Sequence, residues 1–457
     1  MSSTLNALTF TDSTKVAILY RDEEITYVDL NQRIRQKSKN LRKIIKEGYR
    51  IVLESKMHPE FIVNAFAVMQ AGGIPVLKPP FLRPNEDGDI INDIKANMIQ
   101  SGGEWNILCE KVEKFDNDSE IIFYTSGTTG KPKGVVHTKD TILTSCATEG
   151  KLLDINSSDV IGGTIPLSFT YGFGALAIIP FLFNTKVSIF HSAPSLNNVN
   201  EILEMIEKNN ISIFYSTPST YRMMLKEAKE YELSSLRLIV TAGEMLGTGL
   251  YHRLRRLIPN AQIIEHLGCT ESFHAICSNV PGNVKPGSIG LELPCYNVKI
   301  FDGINECPPN VLGKLAFSGP VGSYISEKNV QKWNYTGDIA YKDSEGFIWF
   351  VSRNDNMIKT AGYLVSPHEI ENILQMCPLV SEAMVSGVPD SMIGQKIRAY
   401  IVLDDQCSPS ETFKQDLINF LKSKLACYKV PEDIQFVKSI PKNERGKIIR
   451  NNIVPNP

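Results

Sequence analysis

No Cys-x-x-Cys pair occurs in the chain despite its nine cysteines, and its seven histidines fall in neither a His-Glu-x-x-His nor a Cys/His ligand spacing. These absences argue against a structural zinc, and the odd, scattered thiols suit a reducing compartment. Net charge is equally scarce, since 48 Lys and Arg against 50 Asp and Glu leave -2 at pH 7. Such a balance gives no overall attraction to nucleic acid or anionic lipid, so any anion must be held by a local site. The longest apolar run, Phe173 to Phe183, falls short of the roughly 20 residues a membrane-spanning helix needs. The first stretch, MSSTLNALTFTDSTK, lacks a basic region followed by an apolar core, so a cytoplasmic protein is expected, with no membrane or nucleic-acid partner. Solenoid-length repeats and low-complexity tracts are also missing.

What is present is an α/β texture. With 457 residues, 42% of them hydrophobic, the chain can bury large cores and should form more than one domain. Short β-rich runs (VAILY, IVLES, IPVLK, IIFYTS, KVSIF, ISIFYS, LRLIVTAG, AQIIEHLG) alternate with amphipathic segments at Tyr27 to Ile45, Pro59 to Ala71, Asn200 to Asn209 and Pro218 to Glu230. From about Lys285 the texture becomes glycine-punctuated short strands, as in a β-rich subdomain. After Arg353 a third texture begins, in which Ser366 and Glu369 have capping-box spacing and further strands flank a helix around Ser410 to Leu425. The expected division is a large, multi-subdomain α/β unit over 1–352 and a small α+β unit over 353–457.

Residues 124–137 read YTSGTTGKPKGVVH, a loop with hydroxyls, glycines and lysines between two apolar runs. A Walker A loop needs G-x-x-x-x-G-K-[ST]. Here Pro132 follows Gly130-Lys131 and Thr125 stands where the first glycine belongs, so the match fails at both ends. The remaining groups can still wrap a polyphosphate through backbone N–H groups, side-chain hydroxyls and two lysines. A hairpin turn with exposed lysines is the competing reading of the loop alone.

The loop resembles the phosphate loop of the adenylate-forming superfamily of acyl- and aryl-CoA ligases, luciferases and peptide-synthetase adenylation domains. Further motifs follow in the superfamily's order: EHLGCTES (265–272), YTGD (335–338), SRNDNMIKTAGYLVSPHEIE (352–371) and PKNERGKIIR (441–450). The resemblance implies two half-reactions. A carboxylate first attacks the α-phosphate of Mg-ATP to give an acyl-adenylate and pyrophosphate, and a thiol then takes the acyl group.

Two anions meet in the first step. At ~4 Å and an effective dielectric of ~20 their repulsion is on the order of 4 kcal/mol, which a bridging cation offsets. By resemblance that cation is Lys447, in a small domain that rotates between the half-reactions. Thr270 would contact the α-phosphate and Glu271 would hold Mg²⁺. The loop residues Thr125, Ser126, Gly127, Thr128, Thr129, Gly130, Lys131 and Lys133 would grip the phosphates, with both lysines over the β and γ groups. Gly243 and Glu244 would lie along the adenine, and His266, Leu267 and Gly268 belong to the same nucleotide set. Asp338 would accept hydrogen bonds from the ribose, supported by Arg353. Asp355 matches the hinge, while Lys359 and Gly362 match the thiol tunnel.

The segment IPLSFTYGFGAL (165–176) resembles the acyl-pocket segment of benzoate-CoA ligases, with Phe169, Tyr171, Gly172 and Phe173 as the lining. Amino-acid-activating relatives carry an aspartate just after the first aromatic, to pair with a buried ammonium. This chain has Thr170 there, which favours an aromatic or apolar acid. Against the family pattern, the stretch from Pro80 to Ser119 has about half its usual length, and SGPVGSYISEKNVQKW (318–333) is also reduced. The N-terminal domain is thus pared down. The acceptor thiol is expected to be CoA, with a carrier protein's phosphopantetheine arm as the alternative. A non-catalytic binding protein of the same fold is a third reading.

Overall fold

The apolar runs become buried strands of two mainly parallel sheets, because a strand covered on both faces must be apolar at successive positions. The computed structural model describes residues 13–79, 84–112, 119–126, 132–195, 197–325, 332–390, 392–404, 408–442, 448 and 450. One sheet has nine strands, with Val16–Tyr20, Lys186–Ile189, Val160–Gly163, Ile213–Ser216, Leu238–Thr241 and Gln262–Gly268 running parallel as neighbours. The other has seven, in which Met98–Ser101, Arg50–Leu53, Ile74–Leu77 and Ser119–Ser126 run parallel and Pro132–Thr138 and Ser323–Tyr324 close one edge. An aromatic core lies between these sheets. In it Phe173 stacks on Phe66 at 6.1 Å, and Phe123 meets both Phe173 and Phe273 edge-on.

The helices follow the predicted stripes but stop earlier. Tyr27–Leu41 starts from a complete capping box between Thr26 and Asp29, and Pro59–Gln70 and Pro218–Glu227 each begin with proline, whose missing N–H costs nothing there. Pro367–Leu374 is capped by the Ser366 side chain, which accepts from the Glu369 N–H at 3.3 Å. Only half of the expected box forms there, because the Glu369 carboxylate is held by Lys429 at 2.7 and 2.8 Å.

The glycine-rich texture after Lys285 folds as a four-stranded antiparallel sheet over Asn297–Phe301, Gly313–Ser318, Asn334–Lys342 and Ile348–Arg353. After the short turn Asn354–Asn356 comes a five-stranded sheet built on the long hairpin Val380–Asp390 and Gly394–Leu403. Helices Pro367–Leu374 and Glu411–Lys422 pack on it around a core of its own. The architecture is therefore α/β, with a large sheet-rich N-terminal domain and a small C-terminal one. Among the described residues no helix is long and apolar enough to cross a membrane.

Candidate functional site

The phosphate-loop sequence forms a hairpin. Strands Ser119–Ser126 and Pro132–Thr138 pair in register from Tyr124 opposite Gly134 to Ser126 opposite Pro132. Gly127, Thr128, Thr129, Gly130 and Lys131, which would form its tip, lie outside the described residues, as does Lys447. Lys133 is exposed at the hairpin's base, with its Nζ 5.5 Å from the centre of the Tyr324 ring. The Tyr324 hydroxyl in turn donates to Glu271 Oε1, and the Glu271 carbonyl accepts from Gly322 N–H at 2.7 Å. Tyr324 thus links the hairpin lysine to the Thr270-Glu271 motif, a link with no signal in the sequence.

Thr270 is held from the same side. Its carbonyl accepts from His137 Nε2 at 2.9 Å, so that nitrogen carries the proton. Burial pushes the His137 imidazole down to about 3, which keeps it neutral. Gly268 precedes the motif because nothing larger fits: a Cβ there would stand 2.3 Å from the carbonyl oxygen of His274.

The C-terminal ends of Leu238–Thr241 and Gln262–Gly268 open onto a cavity of about 240 Å³. Gly243, Glu244, Glu265, His266, Leu267 and Gly268 form one wall, and Asp338 and Arg353 another. Gly243 has φ +85° and nothing within 4 Å of where a Cβ would be, so a glycine gives both the left-handed turn and open space for a flat ligand. Asp338 and Arg353 sit opposite each other in register, and Arg353 Nη1 donates to Asp338 Oδ1 at 2.9 Å. A third wall belongs to the C-terminal domain, through His368, Glu371, Asn372, Ile448 and Arg450.

Lys359 and Gly362 are not brought here. They lie exposed on the hairpin of Ile358–Thr360 and Tyr363–Val365, where Gly362 has φ +85°, and neither lines the cavity. Asp355 is exposed in the turn Asn354–Asn356. Of the acyl-pocket residues, Phe173 stands in the aromatic core, and Gly172 lies where a Cβ would meet the Pro166 carbonyl oxygen at 2.1 Å. Phe169 is the half-buried N-cap of the short helix Thr170–Phe173. Tyr171 faces two imidazoles, its ring centre 4.9 Å from that of His274 and 6.3 Å from that of His266.

Sequence reasoning also passed over Glu149 and Glu265. Glu149, fully buried on Lys139–Leu152, meets His274 Nδ1 and accepts from the Tyr215 hydroxyl at 3.1 Å. It lies 117 and 125 positions from its histidine neighbours, so no spacing rule could find it. Glu265 is buried at the cavity wall, accepts the Leu246 N–H at 2.9 Å, and is pushed by burial from 4.5 up to about 7. Its signal was a carboxylate directly after the apolar pair Ile263-Ile264.

The raised Glu265 pKa has a signed consequence. Stability is fully present below the unfolded value near 4.5 and is lost as pH rises through about 7. Relative to Glu265→Gln, the wild type should lose roughly 3 kcal/mol between those limits. Denaturant unfolding of both proteins across that range checks this, and parallel curves would refute it.

Residues 9–114 and 103–324 match the AMP-binding enzyme family, and 369–447 match the AMP-binding enzyme C-terminal domain. The chain belongs to the AMP-binding enzyme family. Within the adenylate-forming superfamily, it is 30% identical to an acetyl-coenzyme A synthetase of Pyrobaculum aerophilum over 379 residues, 78% of this chain and 57% of that protein. The chain thus spans little more than half the length of that curated relative. The crystal structure of the anthranilate CoA ligase AuaEII in complex with anthranoyl-AMP superposes with a TM-score of 0.87 at 28% identity, covering 95% of this chain and 92% of that one. A benzoate CoA ligase from Burkholderia xenovorans shares the fold with a TM-score of 0.85, covering 97% and 98% at 24% identity.

Proposed function

We propose that the protein activates a carboxylic acid with ATP, releasing pyrophosphate, and transfers the acyl group from the acyl-adenylate to the thiol of CoA. One observation carries this reading: Gly243, Asp338 and Arg353 share a single cavity with Ile448 and Arg450, the near neighbours in sequence of Lys447. Adenine would lie on Gly243 beside Glu265, and the ribose would be held by Asp338, which Arg353 fixes in place. The triphosphate would run toward the hairpin and Thr270. The carboxylate of Glu271 is half-buried beside Lys133 and Tyr324, and as a hard oxygen ligand it suits magnesium. When bound, that ion would offset phosphate charge.

The acid would enter beside Tyr171, and the expected skeleton is aromatic or apolar. The anthranilate and benzoate ligases of like fold support an aryl acid. Residues 353–457 would move as a unit about Asp355, bringing Lys359 and Gly362 to the site after Lys447 has left it. A phosphopantetheine arm is a second acceptor, favoured by the shortened stretches at 80–119 and 318–333, which bear on the surface for the CoA nucleotide.

Acid-dependent exchange between ATP and pyrophosphate is the test of the first step. Its absence with every aromatic, aliphatic and amino acid supplied would overturn the reading. Where exchange occurs, mass spectrometry after adding CoA or a phosphopantetheinylated carrier protein is expected to show acyl-CoA, and acyl-carrier alone would select the second acceptor.

A further inference from the structure

Behind Tyr171 lies a group of polar side chains that an apolar substrate leaves unexplained. Glu149, His266 and His274 each offer an atom within 4.8 Å of the others, and all three are buried. Two of them satisfy each other. His274 Nε2 faces the Tyr171 carbonyl at 3.1 Å, and a carbonyl only accepts, so that nitrogen carries a proton. Nδ1 faces a carboxylate oxygen of Glu149, so one further proton lies between those two groups, whichever owns it. The other Glu149 oxygen takes the Tyr215 hydroxyl.

The remaining atoms are unmet. Both ring nitrogens of His266 and the hydroxyl of Tyr171 are buried and, among the described residues, have no hydrogen-bond partner. The nearest carboxylate oxygen, Glu149 Oε1, is 3.7 Å from His266 Nδ1, beyond a hydrogen bond. A buried polar atom without a partner is costly, and three in one place need an occupant to account for them. His266 also lines the nucleotide cavity, so this polar patch adjoins the place where acid and nucleotide would meet. Burial drives the imidazole down to about 4, leaving it neutral, with one nitrogen donating and the other accepting.

We propose that the activated acid carries a hydroxyl or amine on its hydrocarbon body, which bridges the Tyr171 hydroxyl and the His266 ring. A hydroxyl can both donate and accept, and an amine donates, so either can meet the Tyr171 hydroxyl and one His266 nitrogen, whereas a plain hydrocarbon leaves both hosts unmet. The proposal rests on the acyl-pocket reading above and narrows it: the skeleton is apolar, but one substituent is not.

The test is exchange with matched acids: benzoate against hydroxy- and aminobenzoates, and butyrate against hydroxybutyrates. At least one substituted acid is expected to exceed its parent about 10-fold or more in kcat/KM. In Tyr171→Phe and in His266→Ala that ratio should fall toward one, whatever absolute rate remains. Parents used as well as every substituted partner, or a ratio unchanged in both variants, would overturn the proposal alone. No exchange with any acid would overturn the adenylation reading and this proposal with it. One equivalent of zinc in the purified protein, lost in His266→Ala, would also overturn it, because the ring nitrogens would then be ligands.

Discussion

Lys447→Ala is expected to slow acyl-adenylate formation about 10²-fold or more, the scale for losing one transition-state charge contact. The carboxylate and the α-phosphate are both anions, and at ~4 Å their repulsion is on the order of 4 kcal/mol at an effective dielectric of ~20. No other cation is assigned to that junction: Arg353 is occupied with Asp338 and the Thr336 carbonyl, and Lys133 would face the leaving phosphates. Thioester formation from supplied acyl-adenylate should largely survive, since no phosphate is attacked in that step. Single-turnover assays of each half-reaction check this, and equal loss of both would sink the idea that the small domain alternates.

The second large effect is expected at Arg450, three residues beyond Lys447. Its guanidinium grips both oxygens of Glu371, whose side chain is only 6% exposed, and also donates to the Val385 carbonyl at 2.8 Å. Burial pushes the Glu371 carboxyl up, but Arg450 and His368 outweigh it and hold the group at about 2. Arg450→Ala leaves a buried carboxylate without its fork, and such losses destabilise by roughly 3–5 kcal/mol. Replacing both partners, Glu371→Gln with Arg450→Met, should recover most of that. Unfolding of the C-terminal domain followed by hydrogen exchange is the measurement, and a loss below about 1 kcal/mol for Arg450→Ala would refute the assignment. The depressed carboxyl fixes the sign with pH. Its contribution is present above the unfolded value of 4.5 and disappears as pH falls through about 2.

Much of the fold was legible because doubly covered strands are apolar throughout and helices carry their own start signals. VAILY, IPVLK and AQIIEHLG all became strands. How they divide between two sheets was not legible: Val16–Tyr20 pairs with Lys186–Ile189, 170 positions on, and nothing local encodes that choice. The hairpin of Met98–Ser101 and Glu104–Ile107 was passed over, although Gly102 and Gly103, both at positive φ, are the turn signal for it. At the site, motif residues were readable because their chemistry demands particular types in a short run. Glu149, Tyr324 and Arg450 were not, because each acts through a partner 53 to 125 positions distant.

The residues proposed to hold the nucleotide stand on both large sheets, with the hairpin on the seven-stranded one and Gly243, Glu265 and Gly268 at the ends of the nine-stranded one. Across the seam run His137 to the Thr270 carbonyl, Gly322 to the Glu271 carbonyl, and Tyr324 to the Glu271 side chain. All of these stitches end on two adjacent residues. Sliding one sheet against the other would therefore change the spacing between the groups proposed to hold phosphate and adenine, and would strain the contacts at Thr270-Glu271. On the proposed reading, that junction and the aromatic core between the sheets together hold the two halves of the site in place.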